Sequence, residues 1–215
     1  MPPNPERRAH LADAGLRVLA QHGARGLTHR AVDREGKVPP GTTVNYFRRR
    51  ADLLGALGER IFERLAPSAE VLERAGELEP TLELAVTYLE AILERTTQAP
   101  ELTLALFELR LEAARYPELR QILSALLERN YAADVAFHTQ ARLPGGALEV
   151  AMLHYAVDGL LLDRLTASIN GRLNVRHVAE QLVRRLLNDS SVGTVHSVSI
   201  GRDGSPQLTD DPTRS

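Results

Sequence analysis

Apolar residues recur at helical spacing through most of the chain. Over 6–22, Leu11, Ala14, Gly15, Val18 and Leu19 share one face and the pattern stops at Gly23, which predicts an amphipathic helix. Leu27-Thr28 then supplies an apolar residue followed by a Thr N-cap, predicting a second short helix with Ala31 and Val32 inward. Gly36-Lys37-Val38-Pro39 interrupts it, because Pro39 disfavours helical backbone at Val38. A short third helix is predicted from Pro40, a residue tolerated in a first turn, to Phe47. A fourth starts near Arg50 and carries Leu54, Leu57, Ile61 and Leu65 as a stripe, with Pro67 ending or kinking it.

Further helices are predicted over 81–97, 101–115 and 117–140, with Leu143-Pro144-Gly145-Gly146 a clear break. Segment 147–169 is apolar nearly all round and must therefore be buried on two sides. Asn170-Gly171 ends it, and Asn174 can cap a last helix over 175–187 carrying Val178, Leu182, Val183 and Leu186. From Asn188 onward Ser, Thr, Gly and Asp prevail, the composition of a loose tail. His196 to Ile200 alternates only weakly, so a short strand there is the less favoured reading. The expected class is all-α with about nine helices and no internal repeat. The expected division is a three-helix unit over 1–50, a helical body over 51–188 and a flexible tail over 189–215.

Composition narrows the function. Cysteine is absent, which excludes disulfides, thiolate metal sites and cysteine nucleophiles. The proline-rich start has no apolar run behind it, and no stretch approaches the ~20 apolar residues of a membrane span; a cytoplasmic protein without membrane contact is expected. The net charge of −2 hides an asymmetry. Residues 1–50 hold ten basic side chains against four acidic ones, a surplus of six positive charges, so the remainder carries eight negative. A basic head on an acidic body suits a nucleic-acid-binding module joined to a non-binding domain.

The specific signal lies in 27–54. Two short helices separated by a tight turn allow the second to enter the major groove while the first crosses the backbone. Val38 and Phe47 would anchor the second helix to the core. Its exposed side chains are small or hydrogen-bonding, and Arg48, Arg49 and Arg50 follow at once, able to neutralise phosphates. In order and spacing, Leu27-Thr28, Arg30, Val38-Pro39-Pro40-Gly41-Thr42-Thr43, Asn45-Tyr46-Phe47 and Asp52-Leu53-Leu54 resemble the TetR family of bacterial transcriptional regulators. The resemblance covers roughly residues 7–60. It implies a helix-turn-helix domain, a C-terminal ligand-binding and dimerisation domain, and a homodimeric repressor released from a palindromic operator by a small molecule. It further implies phosphate or groove-edge contacts from Thr28 and Arg30, base contacts from Gly41, Thr42, Val44 and Asn45, and phosphate contacts from Tyr46 and Arg50. Two positions depart from the family pattern. Val44 stands where a Tyr is common, which favours contact with a thymine methyl. The turn glycine is one residue early, so either Lys37 takes a left-handed conformation or the turn is shifted.

For a dimer, helices 147–169 and 175–187 are the expected interface, with Gly159 permitting close approach and helix 50–66 acting as the lever between ligand and DNA. The inducer site is the least legible part. Polar or aromatic residues on apolar C-terminal helices make Tyr88, Arg110, Tyr131, His138 and His154 the candidates, with Tyr116 and Asn130 beside them, and the Leu- and Ala-rich surroundings suit an apolar or amphipathic ligand. The rival class is a helical-bundle enzyme or small-molecule-binding protein without a DNA role. It lacks support: there is no Glu-x-x-His, His-Glu-x-x-His, Gly-x-Gly-x-x-Gly or Walker motif, and no cofactor or metal is implied.

Overall fold

Helix α1 (Pro5–Gly26) starts where Asn4 caps it, the Asn4 side chain accepting from the Arg7 N–H at 3.1 Å, with Pro5 in the first turn. In the computed structural model, which describes residues 4–67, 79–188, 198–200 and 206–208, eight more helices follow. They are α2 (His29–Glu35), α3 (Thr42–Tyr46), α4 (Arg50–Leu65), α5 (Leu82–Gln98), α6 (Pro100–Ala113), α7 (Pro117–Gln140), α8 (Ala147–Leu165) and α9 (Val175–Asn188). Gly23 does break α1, with φ +64°, but a further helical turn continues to Gly26 beyond the kink. Thr28 and Thr81 cap α2 and α5 by accepting from the N–H of Ala31 and Leu84 at 3.1 and 3.2 Å.

Three expectations need correction. Helix α3 begins at Thr42 and not at Pro40, because Gly41 takes a left-handed φ of +87° that no right-handed helix contains. Helix α8 ends at Leu165 instead of 169. The Asp163 carboxylate accepts from Ser168 Oγ at 2.6 Å and from the Ile169 N–H at 2.7 Å, and this local loop replaces the last helical turn. The tail is not strand-free: Val198–Ile200 pairs antiparallel with Pro206–Leu208, Val198 opposite Leu208. The rest of the segment 189–215 lies outside the described residues.

Packing forms two cores that do not follow chain order. One joins Leu11, Leu16, Leu19, Leu27, Val32, Phe47, Leu57 and Ile61 of the first four helices and their connections to Leu102, Leu109, Leu119 and Leu123 of α6 and α7. The other gathers Leu84, Val86, Leu89 and Leu93 of α5 with Leu161 of α8 and Ala179, Val183 and Leu187 of α9. Arg60 of α4 holds Asp13 of α1 with two bonds of 2.9 Å. Burial alone would raise the Asp13 carboxyl, but the Arg60 bonds and the charges of Arg60, Arg64 and Arg17 hold it below the ordinary carboxylate value.

Within a single chain α8 is buried on one side only. Val150 and Leu161 are buried, and Leu153, Val157 and Leu160 lean on the second core. On the opposite face Leu148, Met152, Tyr155, Gly159 and Leu162 form an uninterrupted stripe at helical spacing. Leu148 and Tyr155 are 67% and 71% exposed, and the Gly159 backbone is open.

Candidate nucleic-acid interface

The turn between α2 and α3 is built on Gly36 and Lys37. A Cβ on Gly36 would sit 3.1 Å from the Val32 carbonyl oxygen and 3.4 Å from Ala14, so a side chain there would need its neighbours on α2 and α1 to give by a few tenths of an ångström. His10 closes the contact, its Nε2 lying 2.8 Å from the Gly36 carbonyl. Glycine fits at 36 without such a shift, and the left-handed residue falls on Lys37, with φ +51°. Of the two readings open in the sequence, this is the strained turn and not a shifted one. Lys37→Gly is expected to stabilise the fold by about 0.5–1 kcal/mol, the left-handed strain relieved less the entropy glycine loses on folding. An unchanged or lower melting temperature for Lys37→Gly would show that Lys37 is not strained.

Helix α3 has no side-chain cap of its own, because its N-cap is Gly41. Asp33, reaching across from α2, takes that place. Its carboxylate accepts from the Gly41 N–H at 2.8 Å, the Thr43 N–H at 2.8 Å and the Thr43 hydroxyl at 2.6 Å. Asp33 is 3% exposed and Thr43 wholly buried. Burial by itself would raise the Asp33 carboxyl, but the Thr43 hydroxyl, the two backbone N–H donors and nearby His29 outweigh it and hold the group below its ordinary value. Sequence reasoning missed this pair. Its signal was a carboxylate on the inward face of α2 followed by a helix start lacking a capping side chain. The far end of α3 is fixed by Phe47, which is buried, lies under Arg8 at 4.7 Å, and offers its carbonyl oxygen 2.6 Å from His29 Nε2.

With its inner face so fixed, α3 turns Val44, 42% exposed, and Asn45 to solvent. Gly41 is exposed with open space where a Cβ would stand, and the Thr42 hydroxyl donates to the Pro39 carbonyl at 2.6 Å. Thr28 is exposed while capping α2, and Arg30 lies two residues beyond it. Tyr46 is half-buried against the core. The side chains of Arg30, Arg34, Lys37 and Arg48 are exposed and make no hydrogen bond or ion pair among the described residues, leaving four uncompensated cations around α3.

The other two arginines after α3 are engaged within the chain. Arg49 bonds Asp52 and Glu118, each at 2.6 Å. Arg50 donates to the carbonyl oxygens of Leu27 and Ala24 at 2.5 and 2.6 Å and lies 3.7 Å from Glu112 of α6. Glu108, one turn earlier on α6, accepts from the Ala24 N–H at 3.4 Å. The end of α1, the start of α4 and the C-terminal turns of α6 therefore meet at Arg50.

The C-terminal candidates separate into two groups. Tyr88, Tyr131 and His154 line a seam between α5, α7 and α8. The Tyr88 ring meets Phe137 edge-on at 4.8 Å, the Tyr131 and His154 rings are 5.9 Å apart, and His154 Nε2 is 3.0 Å from Asp134. The Tyr131 hydroxyl donates to the Ala147 carbonyl at 2.6 Å. Arg110 lies elsewhere, bonded to Asp158 and joining α6 to α8. His138 is buried with its Nε2 2.8 Å from the Pro144 carbonyl oxygen, pinning the loop before α8. Sequence reasoning missed Arg95, which follows Tyr88 by two turns on the same face of α5 and so carried a readable spacing.

Residues 80–189 match the family described as the tetracyclin repressor-like, C-terminal domain. Among solved structures, the multidrug binding protein EbrR, complexed with ethidium, is 26% identical over 86% of this chain and 99% of that one, with a TM-score of 0.63. A TetR-family member from Streptomyces coelicolor A3 is 25% identical over 85% and 99%, with a TM-score of 0.65. GusR of Salmonella enterica, 20% identical over 87% and 98% with a TM-score of 0.62, shares the fold. No curated protein sequence matches the chain. Among the described residues no helix is long and apolar enough to cross a membrane. The helix-turn-helix with its exposed α3, the helical body behind it and the family match over 80–189 agree, and the enzyme reading gives way: the chain belongs to the TetR family of transcriptional regulators.

Proposed function

We propose that the chain is a homodimeric, cytoplasmic repressor that leaves a palindromic operator when a small apolar or amphipathic inducer binds its C-terminal helices. The observation that carries this reading is α3, clamped from behind by Asp33 and Phe47, open in front, and ringed by four unpaired cations. In this reading 1–50 is the DNA-binding unit, 51–188 the ligand-binding and dimerisation unit, and 189–215 a tail outside both. Gly41, Thr42, Val44 and Asn45 meet base edges, while Thr28, Arg30, Tyr46 and Arg48 meet phosphates. Arg50 was expected on a phosphate from the family resemblance; its bonds to Ala24, Leu27 and Glu112 support a positioning role instead.

The experiment is selection of bound duplexes from a random pool, followed by footprinting. A two-fold symmetric site with half-sites about one helical turn apart, ~35 Å, is expected. Asn45→Ala should relax base preference at one position per half-site by about 1–3 kcal/mol. A single asymmetric half-site bound at full affinity would overturn the dimeric reading.

The partner subunit is expected on the open stripe of α8, packed together with α9, since five consecutive apolar or small positions of one helix do not remain in water without cost. Gly159, with nothing above it, is the point of closest helix approach. Tyr155→Glu combined with Leu162→Glu should halve the mass seen in sedimentation and abolish operator binding, while the helical spectrum of each chain is kept. Retention of the wild-type mass would place the interface elsewhere.

A further inference from the structure

The α5–α7–α8 seam is less tightly packed than either core. Along α7 no residue between Leu126 and His138 is buried. Three polar atoms nevertheless lie buried and without a hydrogen bond along α5, the hydroxyl of Tyr88, Oε1 of Glu90 and Nε of Arg95. Such groups are rare in folded proteins, and each represents a hydrogen bond awaiting a partner. The charges of the seam are unevenly matched. Glu90 has Arg176 at 3.1 Å, and Asp134 has His154 at 3.0 Å. Arg95 has no ion pair among the described residues. Burial lowers its guanidinium from the ordinary value, opposed only by the more distant charge of Asp134. Among the described residues each of these carboxylates has a basic side chain within 3.1 Å, whereas Arg95 has no ion-pair partner.

We propose that this seam is the inducer site and that it selects an amphipathic monoanion, its carboxylate on Arg95, its body against Phe137, and the Tyr88 hydroxyl hydrogen-bonding a ligand oxygen. This rests on the ligand-responsive reading above and adds the class of ligand. Guanidinium matches a carboxylate with two parallel N–H bonds, and a low-dielectric seam strengthens them. Tyr88 and Arg95 are seven residues apart on one helix, a rise of about 10.5 Å, which two long side chains can bring to one ligand. A cation would bring a second positive charge to Arg95 and would have to displace His154 or Arg176 to find a carboxylate.

The test uses three probes of equal chain length on the full protein, decanoate, decanol and decyltrimethylammonium, by titration calorimetry and thermal shift. Decanoate is expected to bind at least tenfold tighter than the other two. Arg95→Gln should erase that preference without lowering the melting temperature of the unliganded protein, since the Arg95 side chain has no hydrogen bond or ion pair among the described residues, and Tyr88→Phe should weaken decanoate several-fold. Decyltrimethylammonium binding as tightly as decanoate overturns the proposal, as does Arg95→Gln leaving decanoate unaffected, or no probe binding at all. Release of the selected operator is measured separately: a probe that binds by calorimetry yet leaves the operator complex intact would fail the repressor reading while the anion site stands.

Discussion

Asp33→Ala is expected to lower stability by about 2–4 kcal/mol and operator affinity by about tenfold or more. The change removes an acceptor and leaves three donors, two of them on the wholly buried Thr43. An unpaired buried donor costs about 1–3 kcal/mol, and the Gly41 N–H, on an exposed residue, can recover part of its share from water. For a chain of this size the loss corresponds to a melting temperature lower by roughly 5–15 °C. Affinity falls as well because α3, having no cap of its own, depends on Asp33 for its position, and only the correctly docked fraction of molecules binds. Thr43→Val, which removes one donor and keeps the shape, should cost only about 1 kcal/mol. The same carboxylate gives a pH signature. Its folded-state pKa is depressed, so its stabilisation is complete above the unfolded value of 3.8 and is lost as pH falls through the lower folded value. The acid limb of the stability curve should therefore be flatter in Asp33→Ala than in the wild type. Full operator affinity in a destabilised Asp33→Ala protein would show that Asp33 supports the fold without aiming α3.

Arg50→Ala should destabilise by about 1.5–3 kcal/mol and weaken all DNA sequences alike while leaving the salt dependence of binding unchanged. Two hydrogen bonds from a charged group to carbonyls at the end of α1 are lost, and Glu112, only 9% exposed, keeps just the contact to Arg115 at 3.5 Å. Since the Arg50 side chain is 41% exposed, the lower half of that range is favoured. The salt slope counts phosphates neutralised, so it separates a positioning arginine from a contacting one. Arg48→Ala, by contrast, should flatten the slope by about one per subunit and leave stability alone. Were Arg50→Ala to flatten the slope while Arg48→Ala did not, the phosphate role suggested by the family pattern would be restored. Helix α4 meets α1 and α6 at Arg50, and Arg110, between Glu108 and Glu112 on α6, reaches Asp158 of α8.

Local rules made much of the molecule legible. Periodicity, caps and proline breaks located nine helices, because an amphipathic helix writes its buried face into every turn and its ends into single residues. The helix-turn-helix was legible for the same reason: Thr28, Gly41, Asn45 and Phe47 sit at short, fixed spacings, and the missing turn glycine left two readings, a left-handed Lys37 or a shifted turn, of which the structure contains the first. Interactions between elements were not legible. The inward carboxylate of Asp33 finds its donors only where α2 and α3 cross, and the bonds of Arg50 to Ala24 and Leu27 exist only once the end of α1 lies beside it. Helix α8 read as buried on both sides because hydrophobicity records burial without recording whose surface does the burying; the single chain covers one side only. Arg95 and Tyr88 differ from any other buried arginine and tyrosine only in what fails to reach them. Sequence fixes short-range geometry through backbone and side-chain preference, whereas a bond across tens of residues exists only once packing has set the distance, and that decision belongs to the tertiary structure.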